Sequence, residues 1–113
     1  MATHRMIVFT EPTDGKEAEY NEWYDQVHLK EVLEIEGFVG AQRFALADTQ
    51  IAKNAAEQVP SRYLAIYEIE AESLEAALEK LNAGSETMQM SDALNMDSAK
   101  AIVFSAIAER QLG

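Results

Sequence analysis

The sequence predicts an α+β domain built on one four-stranded antiparallel sheet. Three observations carry that prediction: four short runs rich in β-branched or aromatic residues, two amphipathic helical stretches between them, and turn residues at most junctions. With 113 residues, the chain has the length of one domain, taken here as 1–113, and is too short for two.

Residues 5–10, RMIVFT, read as the first strand, stopped by Pro12 and Asp14-Gly15. A helix follows, with Asp14 as its cap and Glu17, three residues on, completing a capping box. Tyr20, Trp23, Tyr24, Val27 and Leu33 give it an apolar stripe, and Gly37 suits its end. Segment 38–47, FVGAQRFALA, is the second strand. Phe38, Gly40, Gln42, Phe44 and Leu46 fall on one face, and Val39, Ala41, Arg43 and Ala45 on the other. Residues 48–60 are a polar loop, and 62–70 are the third strand, with Tyr63, Ala65, Tyr67 and Ile69 on one face. The second helix starts at Ser73, shows Leu74, Ala77, Leu78 and Leu81 at helical spacing, and is stopped by Gly84. Residues 85–98 match neither period and stay unassigned; AIVFSAIA, 101–108, is the last strand. The order β-α-β-β-α-β is the ferredoxin-like plan, in which both helices cover one face of the sheet. The strands are apolar on both faces, so a single copy would expose an apolar sheet, and a homodimer is expected to bury it.

Composition narrows the function. The net charge of -11, from 20 acidic and 9 basic residues, disfavours nucleic acid and anionic lipid, whose affinity comes from cations releasing counterions. No apolar run approaches the roughly 18 residues needed to span a bilayer. The absence of cysteine removes disulfides, thiolate metal sites and a cysteine nucleophile, and fits a reducing cytoplasm. The first twelve residues make a poor signal peptide.

Trp23-Tyr24-x-x-x-His28-Leu29, then Gly37-Phe38, Ala41-x-Arg43-Phe44 and Tyr63-Leu64-Ala65-Ile66-Tyr67-Glu68, resemble the EthD-like branch of the dimeric α/β-barrel superfamily. Lys30 stands where similar sequences often carry proline. The resemblance implies a dimeric α/β barrel with a pocket between helices and sheet in each subunit. Its relatives include cofactor-independent monooxygenases, haem-degrading enzymes, cyclases, isomerases and dehydratases, so fold alone selects no reaction.

Within that frame, Tyr20, Tyr24 and His28 recur every four residues along one helical face. Histidine suits proton transfer because its unperturbed pKa is about 6.5. Asp25, three residues earlier, is expected to orient it and Tyr24 to hydrogen-bond the reacting oxygen. Tyr20, Arg43, Tyr63, Tyr67 and Met88 are expected to contact substrate, with an ion pair to a carboxylate as the competing role for Arg43. Trp23 reads as a core wedge against the sheet, His4 as an exposed terminal residue, and Met88, Met90 and Met96 as gap-filling or an adaptable lid. The leading expectation is a small cofactor-independent lyase, dehydratase or isomerase acting on an apolar aromatic or cyclic metabolite, with His28 as general base. A non-catalytic hydrophobic-ligand-binding or accessory protein is the alternative, and a monooxygenase, cofactor-free or haem-dependent, a weaker one. No cofactor is called for, although His28 with Asp25 or Glu31 leaves a divalent metal open, and His28 alone leaves haem open.

Overall fold

The computed structural model describes residues 2–113 and arranges them as β1 (Ala2–Pro12), α1 (17–33), β2 (Phe38–Ala45), β3 (Tyr63–Ala71), α2 (Leu74–Ser85) and β4 (Leu94–Ser105). All strand pairs are antiparallel and the sheet order is β2-β3-β1-β4, which is the ferredoxin-like topology. One turn of 3-10 helix, Ala55–Gln58, interrupts the loop between β2 and β3. Among the described residues no helix is long and apolar enough to cross a membrane.

The two layers meet through alternate residues. His4, Met6 and Thr10 of β1 and Ala65, Tyr67 and Ile69 of β3 are buried on the helix side, against Tyr20, Trp23, Tyr24 and Val32 of α1 and Ala77 of α2. The opposite parity leaves Ile7, Leu64, Ile66, Phe44, Ile102 and Phe104 on a sheet face that no helix covers. Phe44, Ile102 and Phe104 are 42%, 47% and 59% exposed there.

Helix α1 departs from the expected stripe at its centre. Residues Tyr24–His28 form a π turn between the α-helical stretches Glu17–Trp23 and Leu29–Leu33. The wider turn holds one extra residue, so every later side chain rotates around the axis. Val32 therefore points inward, with Leu29 and Ile35 packed beside the core, and Leu33 is turned out to 39% exposure. The expected capping box does not form either. Gly15 takes φ +80 in a turn closed by Lys16 N–H donating to Thr13 C=O at 2.9 Å, which moves the cap position past Asp14 to Lys16. Glu17 instead accepts from the Tyr63 hydroxyl.

Other boundaries move for local reasons. A bulge between Phe38 and Gly40 separates the face expected to hold both: Phe38 lies opposite Ile69 and is buried, whereas Gly40 lies opposite Glu68. Gly84 does not end α2, which continues to Ser85. A Cβ there would come within 2.5 Å of Ile35 Cδ1, so the glycine lets α2 pack against Ile35 in the turn that follows α1. At the other end Ser73 caps α2 by accepting from Ala76 N–H at 3.1 Å. The unassigned segment 85–98 contains the start of β4. Its ladder jumps from Phe9 opposite Lys100 to Glu11 opposite Asn95, and Ser98 bridges the gap by accepting from Glu11 N–H and donating to Asn95 C=O. β4 ends at Ser105, short of the expected Ala108.

Gly37, at φ +97, makes the turn from α1 into β2, and an added Cβ would meet only ordinary contacts from 3.6 Å outward. The penalty of Gly37→Ala is therefore backbone strain, roughly 1–3 kcal/mol. Urea unfolding should show a lower midpoint at an unchanged slope; an unaltered midpoint would contradict this turn.

Candidate functional site

The π turn builds the site. Residues five apart diverge on an α-helix, but in the wider turn they come nearly into line. Trp23 and His28 are such a pair, and their rings stack at 4.8 Å between centroids with 20° between planes. Tyr24 meets the His28 ring edge-on at 5.1 Å and the Tyr20 ring at 5.6 Å. Trp23 is thus no simple wedge against the sheet. Its Nε1–H donates to Gln89 C=O at 2.8 Å, and Gln89 N–H donates to the Glu31 carboxylate at 2.9 Å. The backbone of the segment before β4 is fastened to α1 from both sides of one residue.

Beneath this helix the hydroxyls of Thr10, Tyr20, Tyr24 and Tyr67 converge, all on residues no more than 2% exposed. Thr10 and Tyr20 share a hydrogen bond of 2.5 Å. Tyr67 lies against Tyr24 closely enough for each hydroxyl to perturb the other, yet no well-directed hydrogen bond satisfies Tyr67 Oη, which is buried without a partner. Burial raises both phenols above the ordinary tyrosine value, Tyr67 very strongly. Among the described residues His28 Nδ1 is the second buried polar atom without a partner. Burial lowers the His28 pKa, and the nearby Glu31 charge offsets this only in part, so the ring is neutral at pH 7.

The Asp25 carboxylate does not orient His28. It accepts from Arg43 Nη1 at 2.8 Å, while Arg43 Nη2 donates to Asn21 Oδ1 at 2.8 Å. The reason is again the π turn, which takes His28 toward Trp23 and leaves Asp25 facing β2. Burial alone would lower the Arg43 pKa, but Asp25 beside it more than offsets that and the group stays charged. Its guanidinium lies 4.6 Å from the Tyr24 ring centre, 5.2 Å from Tyr20 and 5.7 Å from Tyr63. Arg43 and Tyr63 also line a cleft of about 400 Å³ with Asn21, Asp25, Leu29 and Phe44. Arg43 therefore forms the wall between an open cleft and the buried hydroxyls.

Tyr20, Tyr24, Tyr67 and His28 are thus brought together, Arg43 and Tyr63 stand at the cleft beside them, and Met88 packs partly buried at the rim of the core. Met90 and Met96 project into solvent. His4 is buried, contrary to the expectation of an exposed terminus, because β1 begins three residues earlier than its apolar run and pairs with both neighbours; its Nδ1 lies 2.7 Å from Ser105 Oγ. Thr10 and Asn21, which no motif marks, join the site through the pairing of β1 and the first turns of α1. Among the described residues no three His, Asp or Glu side chains group as metal ligands, so His28, Asp25 and Glu31 do not assemble as a set.

No protein-family model and no curated protein matches the sequence. Solved structures do resemble it. An ethyl tert-butyl ether D (EthD) family protein from Bacillus halodurans C-125 superposes with a TM-score of 0.59 at 12% identity, over 95% of this chain and 100% of that one. The fold is EthD-like. A candidate monooxygenase from Shewanella loihica PV-4 gives 0.58 at 13% identity, covering 96% and 99%. The Arabidopsis thaliana protein At3g17210 gives 0.50 at 17%, covering 99% of each chain. At such identities the EthD-like likeness is one of backbone.

Two measurements check this geometry. A histidine whose folded pKa is lowered binds fewer protons folded than unfolded, so its contribution to stability is complete above about pH 6.5 and lost as pH falls through the unfolded value toward the folded one. NMR titration should place the His28 inflection below 6.5, and His28→Phe should flatten the fall in stability on acidification; an inflection at or above 6.5 would refute the burial. Trp23→Phe keeps an aromatic ring and removes the pyrrole half of the indole with its N–H. It should lower stability by about 1 kcal/mol and raise hydrogen exchange around Gln89; unchanged exchange there would show that the fastening is elsewhere.

Proposed function

We propose that this protein is a small enzyme that moves a proton on an apolar cyclic or aromatic metabolite bearing a carbonyl or hydroxyl, with His28 as general base and Tyr67 as donor to the developing oxyanion. The observation that carries the reading is the pair of buried, partnerless polar atoms, His28 Nδ1 and Tyr67 Oη, on residues that both contact Tyr24. Native interiors leave few such groups, and those they leave ask for a partner. A neutral imidazole can accept a proton, and a phenol with a strongly raised pKa keeps its own and donates a hydrogen bond.

The chemistry follows from those two roles. His28 removes a proton from carbon beside the carbonyl, the electron pair moves to oxygen, and Tyr67 with Tyr24 holds the resulting enolate. Returning the proton to a second carbon gives isomerisation; returning it to a departing hydroxide gives dehydration. Arg43, held by Asp25 and Asn21, controls passage from the cleft to the hydroxyls, which makes Asp25 a positioning residue for Arg43. Tyr20 and Tyr63 complete the aromatic wall and Met88 the apolar one. Proton transfer of this kind calls for no metal or haem.

We further propose a homodimer, supported by the uncovered apolar face of the sheet and by β2 and β4 as free edge strands. A second reading, binding of a hydrophobic ligand without turnover, has one observation in its favour: no carboxylate fixes the tautomer of His28.

The test is exchange of carbon-bound hydrogen with heavy water across a panel of cyclic and aromatic ketones. A substrate for the wild type should lose exchange entirely with His28→Ala, and Tyr67→Phe should slow it about a hundredfold or more. His28→Ala within several-fold of wild type would sink the assignment. Binding with no exchange by the wild type would establish the second reading.

A further inference from the structure

The segment after β4 and a cleft far from His28 have complementary features that the subunit leaves unjoined. Residues 106–113 form an arm tethered by Ala106 N–H donating to Thr3 C=O at 2.9 Å. Beyond that tether Ile107 is 100% exposed and Leu112 77%. The cleft, of about 430 Å³, lies where α1 turns into β2 and β3 runs into α2. It is lined by Gly37, Val39, Glu70, Glu72, Ala76 and Lys80. Val39, pushed outward by the bulge, is 54% exposed at its lip. Its small floor and aliphatic lip suit an aliphatic side chain.

Topology decides whose arm reaches it. In the order β2-β3-β1-β4 the strand directions alternate, and β2 and β4 are opposite edges. Setting β4 of one copy beside β2 of another continues the alternation and closes two sheets into one antiparallel barrel about a two-fold axis along the strands. The register places His4 between Ser105 and Ile69, and Ile69 beside Phe38, so β4 finishes at the end of the sheet where β2 begins. The arm therefore leaves β4 next to the partner's cleft, whereas its own lies three strand spacings away, about 14 Å. Eight residues reach up to roughly 26 Å, enough to cross the partner's β2 edge.

We infer that residues 106–113 of each subunit dock in the cleft of its partner at Val39 and Ala76, with Ile107 and Leu112 as anchors; this rests on the homodimer proposed above. Charge agrees with this occupant. Among the described residues Glu70 and Glu72 form no salt bridge and offer a rim for Arg110 of the arm, while Lys80 is already paired with Glu36. The exchange would add an intersubunit contact at the end of the sheet away from the tyrosine cluster.

The chain has no cysteine, so a designed pair reports one contact. Under mild oxidation the double variant Ile107→Cys, Ala76→Cys should run as a covalent dimer on a non-reducing gel, and neither single variant should. Ile107→Asp should weaken dimerisation at least about tenfold and leave the circular dichroism of the subunit unchanged, since Ile107 touches nothing within it. A wild-type dimer by light scattering, with no covalent product and no effect of Ile107→Asp, would overturn the arm while keeping the dimer. A monomeric wild type at high concentration would overturn the dimer, and the arm with it.

Discussion

The stack of His28 on Trp23 is the contact from which the rest of the site follows. It exists because one turn of α1 holds an extra residue, and it fixes three things at once. It buries one face of the imidazole, which keeps the ring neutral. It turns Asp25 away from the histidine and onto Arg43. It also ties the helix, through the indole N–H, to Gln89 and the chain entering β4. A straight α-helix would leave Trp23 and His28 on different faces and would dissolve each of these relations.

Beneath the stack the core is unusually polar for its depth. Four hydroxyls share the space where aliphatic side chains would ordinarily interlock, and the cation of Arg43 closes the group from the cleft side. Such a cluster is unfavourable unless its members satisfy one another. Thr10 and Tyr20 do so, whereas Tyr67 and His28 do not, and that imbalance is what gives the region a chemical direction.

Much of the fold was legible because periodicity reports which face of an element is wet. The order of six elements, the tyrosines of β3 and the second helix all follow from it. What stayed hidden are places where backbone irregularity breaks the period: the π turn that exchanged Leu33 for Val32, the bulge that sent Phe38 inward, and the jump in β4 that erased any alternation over 85–98. The site shows the same division. Tyr20, Tyr24 and His28 share a face at helical spacing and do meet, but the partner of Asp25 depended on the irregular turn. His4 was misplaced because strand pairing, which spacing does not report, carried β1 past its apolar run.

The central claim is that His28 is the base. It is tested most directly by measuring, on the same sample, the pH dependence of substrate hydrogen exchange and the NMR titration of the His28 imidazole. The account predicts that the rate falls on acidification with an inflection at the titration point of His28, below about pH 6.5. A rate that ignores that titration, or follows a different group, would contradict it.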